Sequence, residues 1–527
     1  MSIFFKKALD KWQSILDKNS IKLSEQELLI NRKSTMGDSF DTPCTLIPKN
    51  LKELSSCIAI AKKYSIKIFP VSAGYNHGYN SATPGRDGIV VINLNQLSQI
   101  TNYNSEFGYL TIEPGVTFYQ LYHFLAEKDS DYMMSGFTGN PKSSVMANAL
   151  DRGTGKGVYG NRELSVFIKE VMLANGDVID LTKRMTNDDV TRHLQYATTG
   201  LDINHLFYQS SLAIVTKMVV HLEPIPEVMT VGSITTKNDQ NFLALVDHMR
   251  ELNRQNIIKP TFGLINLTRI LLSTGEKRPK FNIIENIKQM SEKHLKLNEG
   301  KLDQWNCAFS IYSSCDKEAD LRCMLVDNKI KKIASNCSLT NIKKSDAKAL
   351  IKNSINNNFT ITPAQLKFLF NLGYTNEQEF KSLYWASNVN SPDARNPIED
   401  GCGFIYFAPK IPFSAKHIKQ TLQLLADVSN KHDRERPILF QVKTKDLAYL
   451  LFPIVFSTTN KIEAEKAKKY YQELVTAFED KGYYQYRLNN IATNSYFYSD
   501  KKINQLLKKL KAVFDPNDII ASRYKLG

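Results

Sequence analysis

The sequence lacks the patterns that mark zinc, disulfide and simple metal proteins. Its seven cysteines are an odd number and include no CxxC pair, so neither a zinc ribbon nor a disulfide framework is indicated. Its nine histidines show no HExxH or HxH spacing. We therefore expect no metal site, although a fold can also assemble ligands from distant positions. A reducing compartment suits this cysteine usage best.

Long apolar runs are also missing. No stretch approaches the roughly 20 apolar residues that span a bilayer. The opening MSIFFKKALDKWQSIL carries charges inside its apolar run and has no small-residue cleavage site, which is typical of an amphipathic helix rather than a signal peptide. We expect a cytoplasmic protein with no membrane partner; export by another route stays open.

The net charge is +15, which raises the question of an anionic partner. The lysines are spread along the chain and do not alternate with aromatic residues. This pattern favours solvated faces plus an anionic cofactor or substrate, and it argues against a nucleic-acid partner.

Residues 70–88, PVSAGYNHGYNSATPGRDG, are the most informative stretch. Apolar runs typical of strands, KIFPV and GIVVINL, flank a loop rich in Gly, Asn, Ser and Pro. Such a loop has little side-chain bulk and many backbone N–H groups, so it can wrap a diphosphate closely. The alternative interpretation is a long surface loop.

Periodicity places several elements along the chain. It predicts a helix over 51–65 followed by a strand, a strand–turn–helix over 107–128, and a hairpin over 169–181 with an Asn175-Gly176 turn. A helix running into a long strand is expected over 205–227, and an amphipathic helix over the tail before Asp515-Pro516.

GKGVYG, with Gly155, Gly157 and Gly160, is a literal GxGxxG. A dinucleotide-binding fingerprint needs a strand before this motif and a helix that opens on it. Here ALDRGT precedes it and a hairpin follows, so we predict no Rossmann site.

The order of segments resembles the flavoprotein family of vanillyl-alcohol oxidase and p-cresol methylhydroxylase, over almost the whole chain. The similarity is carried by PVSAGYNHGYNSATPGRDGIVVINL, TIEPGVTFYQLY, NALDRGTGKGVYGN with EVMLANGDV, GLDINHLFYQSSLAIVTKM, DGCGFIYFAP, IVFSTTN, GYYQYRLNN and DPNDIIASRYKLG.

The resemblance implies an α+β fold in which a two-part FAD-binding domain holds FAD and an inserted α+β cap domain covers the substrate. We expect the first part of the FAD-binding domain over 1–227, the cap over 228–480 and the C-terminal return over 481–527. The implied cofactor-binding residues are Ser72, Ala73, Gly74, Tyr75, Asn76, His77, Gly78, Pro114, Gly115, Gly139, Asn148, Gly153, Gly155, Tyr159, Gly160 and Val178.

In the phenol-oxidising branch of this family, a Tyr-Arg pair and a loop tyrosine grip the substrate phenolate. Tyr486, Arg487 and Tyr79 match these positions. A guanidinium and two O–H donors favour the anion of a phenol, whose pKa is otherwise about 10. Taken alone, a Tyr-Arg pair is usually packing plus a surface charge.

Two departures put the substrate in question. Gly139-Asn140 stands where the family usually carries an aspartate, and an amide cannot take up a proton as a carboxylate does. Lys156 replaces a family tyrosine; it is either a surface lysine or a partner of an anionic substrate group. Asp151 is expected to hold backbone rather than to do chemistry.

Some relatives link FAD covalently through a cap-domain histidine or tyrosine. DGCGFIYFAP contains no histidine, and Cys402 and Tyr406, its nucleophile-like residues, are expected in the core. We favour noncovalent FAD, with a covalent link left open.

The predicted function is oxidation of a para-substituted phenol or related aromatic alcohol by hydride transfer to flavin N5. Oxygen or an electron carrier would reoxidise the flavin, and a homodimer is expected. The first alternative is a tailoring oxidase of a non-phenolic alcohol or amine. The second is a non-catalytic basic binding protein on a flavin fold.

Overall fold

The structure is a computed structural model that describes residues 3–522 apart from 138, 184–188, 195–199, 260, 298–303, 357, 390–395, 493–494 and 496–499. Within these ranges, no helix is both long enough and apolar enough to cross a membrane.

Helices and strands alternate along the whole chain. The helices are α1 (Ile3–Ile15), α2 (Glu25–Arg32), α3 (Leu51–Lys63), α4 (Phe118–Glu127), α5 (Val145–Leu150), α6 (Thr191–Leu194), α7 (Asp239–Arg254), α8 (Leu267–Leu271), α9 (Ile283–Leu297), α10 (Asp316–Ile330), α11 (Lys344–Ser354), α12 (Pro363–Asn371), α13 (Ala415–Lys431), α14 (Lys461–Glu479) and α15 (Lys501–Phe514). The strands are β1 (Ile21–Lys22), β2 (Thr45–Leu46), β3 (Ile68–Val71), β4 (Val90–Asn93), β5 (Ile100–Asn104), β6 (Tyr109–Ile112), β7 (Tyr132–Met133), β8 (Val166–Met172), β9 (Val178–Asp180), β10 (Ile214–His221), β11 (Glu223–Pro224), β12 (Val228–Thr236), β13 (Gly263–Asn266), β14 (Trp305–Ser313), β15 (Asn336–Lys343), β16 (Cys402–Phe407), β17 (Lys410–Pro412), β18 (Leu439–Val442) and β19 (Leu447–Ser457).

The first sheet has the order β1-β2-β4-β3, and β4 runs parallel to both β2 and β3. The strands β3 and β4 are continuous apolar runs because both faces of a parallel sheet are buried. Helices α1 and α3 pack into the same core. Residues 519–521 return to this sheet, where Ile68 donates its N–H to the carbonyl of Ile519 and accepts from the N–H of Ala521.

The second sheet is antiparallel, with the order β5-β6-β10-β8-β9. Helix α4 packs against it through Phe118, Leu121 and Leu125. Its N-terminus is fixed by a capping box in which the Thr117 hydroxyl accepts from the N–H of Gln120.

The third sheet is the largest and antiparallel, with the order β15-β12-β14-β13-β18-β19-β16, and β17 pairs with β19. Its strands all lie after residue 227. The domain boundaries at 227 and 480 stay a prediction. The change of sheet between β11 and β12, together with the return of residues 519–521 to β3, supports them.

The helices and strands expected from periodicity form. They are α3 followed by β3, β6 followed by α4, the β8–β9 hairpin, and α15 ending before Asp515. In the 205–227 segment, a short 3₁₀ helix (Asn204–Phe207) precedes β10 instead of an α-helix. Residues 523–527 of the expected C-terminal closure lie outside the described ranges.

Candidate active site

The glycine-rich loop joins two neighbouring parallel strands, β3 and β4, and crosses the carboxyl end of β3. Gly74 and Gly78 take positive φ values of 77° and 79°, which L side chains rarely adopt. The composition of the loop therefore matches a backbone path that only glycine follows without strain.

Gly78 marks the point where this loop meets the large sheet. A Cβ at Gly78 would lie 2.9 Å from Cδ2 of Tyr406 and 3.0 Å from its backbone nitrogen. The Tyr406 N–H donates to the Gly78 carbonyl, and the Gly78 N–H donates to the Thr35 hydroxyl. Gly78 thus closes the contact between the loop and β16 and does not itself line the cavity.

Beyond the loop lies a cavity of about 370 Å³. Its wall combines the loop, residues 139–154, residues 207–215, β16, residues 486–487 and the returning residues 520–522. Twelve residues expected at the site lie in this wall: Ser72, Ala73, Gly74, Tyr75, Asn76, His77, Tyr79, Gly139, Asn140, Asn148, Tyr486 and Arg487. Segments from distant parts of the sequence therefore meet in one place.

Other expected site residues lie outside the wall of this cavity: Gly78, Pro114, Gly115, Gly153, Gly155, Lys156, Tyr159, Gly160 and Val178. Gly115 is needed for close packing, since a Cβ there would lie 2.3 Å from the Asn95 carbonyl oxygen. Gly153 packs on Asn148, and Val178 is exposed on the β9 edge strand. Lys156 places its ammonium 5.3 Å from the ring centroid of Phe370. A role for these nine residues in FAD or substrate binding stays a prediction.

Three aromatic rings and one guanidinium form the polar end of the cavity. Tyr79 stacks on Tyr406 with ring centroids 5.6 Å apart, and meets Tyr486 edge-on at 6.3 Å. The Arg487 guanidinium carbon lies 5.2 Å from the Tyr79 ring centroid and 5.1 Å from that of Tyr486. The three residues predicted to grip a phenolate are thus brought together.

Arg487 is held in place by the backbone of the DRG segment. Its Nε donates to the carbonyl of Asp151, and the Asp151 carboxylate accepts from the Asn76 amide at 2.8 Å. Gln209 donates to the Tyr486 carbonyl at 3.4 Å. Asp151 thus links the glycine-rich loop to the guanidinium through the Asn76 side chain and its own carbonyl, and the expectation that it holds backbone stays a prediction.

Burial keeps the phenol of Tyr79 in its neutral form. It raises the pKa of Tyr79 well above its ordinary value, with Tyr486 adding to the effect and Arg487 opposing it. Tyr79 therefore stays an O–H donor at neutral pH. Tyr449 stacks on Tyr486 with centroids 4.3 Å apart and supports that ring from the far side.

Among the cavity-lining residues that the structure describes, Asp151 carries the one carboxylate. Asn140 lies in the wall, where its amide oxygen accepts from the N–H of Lys142 at 2.8 Å. His77 also lines the cavity, and desolvation lowers its pKa to about 4, so its imidazole is neutral at pH 7. Asn140 therefore brings an amide rather than a base to the cavity, and its match to the family's aspartate stays a prediction.

The cavity suits FAD. The wall supplies the backbone and hydroxyls of residues 72–77, where Gly74 has a left-handed conformation. Asn148 lines the same cavity, and its buried amide oxygen has no hydrogen-bond partner among the described residues. A flavin ring carries both N–H donors and carbonyl acceptors, so a buried acceptor of this kind fits it.

The expectation for Cys402 is confirmed and that for Tyr406 is wrong. Cys402 is buried in an apolar cluster, and burial raises its pKa to about 12. Tyr406 instead lines the cavity and stacks on Tyr79. The two residues are four positions apart and therefore share one face of β16. Cys402 lies at the start of the strand within the apolar cluster, whereas Tyr406 lies further along, where Gly78 and Tyr79 meet the same face.

The GKGVYG segment follows helix α5 rather than a strand, so it forms no dinucleotide fingerprint. Its carbonyls instead bind residues of the large-sheet half. The Thr261 hydroxyl donates to the Gly155 carbonyl, and the Lys443 ammonium donates to that of Gly160 at 3.3 Å. This glycine-rich stretch is thus a joint between the two halves of the chain.

Sequence reasoning missed two buried cations beside this joint. Arg162 donates to Ser135 and Gly136, and its guanidinium carbon lies 4.6 Å from the Phe118 ring centroid. Lys443 lies 5.5 Å from the ring centroid of Tyr449. Desolvation lowers the pKa of Lys443 to about 7, with Arg162 and Arg487 adding to the effect. Neither residue stands in a motif that would have revealed it.

Lys443 makes stability depend on pH. Its pKa is about 7 in the folded chain against an ordinary value of 10.5, so the unfolded chain binds more protons between these values and stability rises with pH there. We expect Lys443→Met to flatten this rise and to stabilise the protein by about 1–3 kcal/mol at pH 7. Thermal unfolding across this pH window measures both effects.

The matched control is Lys445→Met, which changes an exposed lysine two residues away. It should leave the pH dependence as in the parent. A Lys443→Met protein that retains the full rise in stability would show that Lys443 does not titrate in this window.

Known flavoproteins are similar to this chain in sequence and in fold. Residues 42–182 match the FAD binding domain family. The chain is 24% identical to 1'-carboxy-chondrochloren decarboxylase of Chondromyces crocatus, over 98% of this chain and 96% of that protein. It is also 24% identical to the 4-cresol dehydrogenase [hydroxylating] flavoprotein subunit of Pseudomonas putida, over 98% and 94% of the two chains.

A solved structure of p-cresol methylhydroxylase with substrate bound superposes with a TM-score of 0.84 at 22% identity, covering 99% of this chain and 97% of that one. The expected α+β fold, the FAD cofactor and the resemblance to this family are therefore confirmed.

Proposed function

The chain is an FAD-dependent oxidoreductase with the fold of p-cresol methylhydroxylase, and we propose that it oxidises a para-substituted phenol or a related aromatic alcohol. The observation that carries this proposal is the position of Arg487 against the rings of Tyr79 and Tyr486 inside a buried cavity. Such a cluster combines one fixed cation with two O–H donors.

This cluster is suited to a phenolate. A free phenol has a pKa of about 10, and lowering it by about three units requires about 4 kcal/mol of preferential binding of the anion. A guanidinium in a desolvated pocket and two phenolic donors supply that preference by charge and by hydrogen bonding. The substrate would then bind as its anion at neutral pH.

Ionisation prepares the substrate for oxidation. A phenolate oxygen donates electron density to the para position. This makes the loss of a hydride from the benzylic carbon easier. The loop of residues 72–77 and Asn148 would hold FAD, which would supply the hydride acceptor. Arg487 and the two tyrosines keep the ring oriented, and the buried wall excludes bulk water.

Loss of a hydride from a para-alkyl phenolate leaves an electrophilic quinone methide. Hydration of that species needs a base. Asn140 offers an amide, and the carboxylate of Asp151 is bound to the Asn76 amide. The proposed substrate is therefore one whose product needs no added water, such as an alcohol that becomes a carbonyl or a chain with its own nucleophile.

Oxidative decarboxylation is a second candidate, favoured by Asn140 and by the similarity over the whole chain to a decarboxylase. In a substrate with a carboxylate one carbon beyond the benzylic position, hydride leaves the benzylic carbon. The C–CO₂ bond then breaks, its electron pair forms the new C=C bond, and CO₂ leaves. These two steps form a vinyl phenolate and need no base. They would release one CO₂ for each flavin reduced.

The remaining assignments accompany this proposal. They are noncovalent FAD, reoxidation by oxygen or an electron carrier, a homodimer, and a cytoplasmic location without a nucleic-acid partner. Of the two nucleophile-like side chains of β16, Tyr406 lines the cavity and Cys402 does not. The position of Cys402 therefore supports the noncovalent assignment, and Tyr406 is the residue of β16 that could form a link.

The cofactor state is directly visible. We expect the purified protein to be yellow and acid precipitation to release its flavin into the supernatant. A colourless protein that FAD cannot reconstitute would contradict the enzymatic assignment and favour the non-catalytic basic protein. Flavin that stays in the pellet would contradict only the noncovalent assignment, and Tyr406→Phe would then identify the attachment point.

The substrate class is tested without oxygen, by mixing the protein with para-alkyl phenols and with their methyl ethers. The ethers match the phenols in shape but cannot ionise. Bleaching of the flavin by the phenols alone supports the proposal. Equal bleaching by the ethers, or bleaching by aliphatic alcohols or amines alone, supports the non-phenolic oxidase instead.

A further inference from the structure

Helix α15, Lys501–Phe514, has an apolar face that the described part of the chain leaves exposed. None of its residues is buried, and Ile503, Leu506 and Val513 are 55%, 57% and 76% exposed. Their spacing of three and seven residues places them on one stripe of the helix. A stripe of aliphatic side chains that are each more than half exposed indicates an interaction surface.

The same helix is strongly basic. It contains five lysines and no acidic residue between its ends. Four of these lysines, Lys501, Lys502, Lys508 and Lys509, are exposed. Lys502 and Lys509 lie seven residues apart, within one helical turn of Leu506, so they run along one edge of the apolar stripe. The surface therefore pairs aliphatic side chains with positive charge.

The opposite edge of the helix is fixed to the body of the protein. Lys511 donates to the carbonyls of Ser211 and Ile520 and pairs with Asp515. Phe514 packs edge-on against Phe207 with ring centroids 5.8 Å apart. Because these contacts set the rotation of the helix, the stripe of Ile503, Leu506 and Val513 faces outward.

We propose that this outward face of α15 docks on a lipid membrane surface that carries anionic headgroups. The composition favours lipid over a protein partner, since protein interfaces are rich in Tyr, Trp and Arg and poor in Lys. The exposed residues of α15 are lysines, aliphatic residues and Gln505, with no aromatic residue or arginine among them. Helices that lie in the headgroup region combine an apolar face with flanking lysines in this way.

Another helix of the chain provides an internal contrast. Helix α10, Asp316–Ile330, exposes Leu321 and Met324 to 53% and 52%, which is close to the exposure of Ile503 and Leu506. It carries four acidic and three basic residues, so its net charge is −1. Both α10 and α15 therefore expose apolar side chains, but only α15 of these two helices is positively charged.

Peripheral docking needs no membrane span, so it is compatible with the absence of a long apolar helix from the described ranges. It departs from the expectation that no membrane takes part. The inference stands on α15 alone and does not depend on the substrate assigned to the cavity.

The experiment measures binding of the FAD-loaded full chain to sedimenting vesicles of phosphatidylcholine alone and of phosphatidylcholine mixed with phosphatidylglycerol. We expect binding to the mixed vesicles only, weakened by salt. Lys502→Gln with Lys509→Gln should lower the affinity about 25-fold, at about fivefold for each lysine near an anionic surface. Leu506→Gln should lower it about tenfold.

Leu321→Gln with Met324→Gln on α10 is the matched control and should bind as the parent does. The lysine changes lie on the surface, so we expect them to leave the fold intact. The flavin content of each variant checks that it is folded. Absence of binding to mixed vesicles, or binding that the α15 variants do not weaken, would overturn the proposal. One further result would also overturn the proposal: the parent protein does not bind vesicles, and sedimentation shows that Leu506→Gln dissociates a dimer. The outward face of α15 would then join two copies of the chain.

Discussion

Arg487→Ala should lower kcat/KM on the best phenolic substrate by about 30- to 1000-fold, while the FAD content stays that of the parent. Arg487 is the permanent cation placed against both tyrosine rings, and loss of one strong charge-assisted contact is worth about 2–4 kcal/mol. Steady-state kinetics together with the flavin-to-protein absorbance ratio measure the two quantities.

Arg487→Lys is the matched variant, because it retains the positive charge but loses the planar guanidinium whose Nε binds the Asp151 carbonyl. We expect it to lie between the parent and Arg487→Ala. Unchanged kinetics in Arg487→Ala would show that Arg487 does not contact the substrate. Loss of FAD along with activity would show instead that the Arg487–Asp151 contact maintains the cofactor site.

Asn140→Asp should raise hydroxylation of a simple para-alkyl phenol by on the order of 100-fold, because a positioned base typically contributes at least that much. Asn140 lies in the cavity wall and its amide cannot accept a proton from water. Product analysis in ¹⁸O-labelled water separates this outcome from oxidation that adds no water.

Asn140→Ala is the control for this experiment, since it removes the amide without adding a carboxylate, and it should not gain hydroxylation. Efficient hydroxylation by the parent protein with solvent oxygen would show that Asn140 is not limiting. Failure of the parent and of Asn140→Asp to oxidise any phenol would favour the non-phenolic oxidase.

The sequence was most informative where composition and backbone geometry coincide. The loop of residues 72–88 could be predicted because glycine and small polar residues are required where a backbone turns tightly between two buried strands. The pairing of Tyr79 with Tyr486 and Arg487, some 400 residues apart, followed only from resemblance to a family. The spacing of these three residues along the sequence does not predict that they are in contact.

The residues that escaped prediction are those whose roles arise from tertiary packing. Tyr406 was expected in the core, yet the close approach of Gly78 and the stacked ring of Tyr79 place it in the cavity wall. Lys443 resembles a surface lysine in the sequence, but the joint at Gly160 buries it. The contacts that join the Gly155–Gly160 stretch to the large-sheet half also arise from tertiary packing, and its expected role in binding the cofactor stays a prediction.

The most direct test of the central claim is the ionisation state of a phenol bound in the cavity. Para-chlorophenol has no benzylic hydrogen to lose, so it can be observed at equilibrium by ultraviolet difference spectroscopy. We expect the parent protein to bind it as the phenolate at pH 7, with the long-wavelength absorbance of the anion, and Arg487→Ala to bind it as the neutral phenol. A neutral-phenol spectrum in the parent protein at pH 7 would contradict the account.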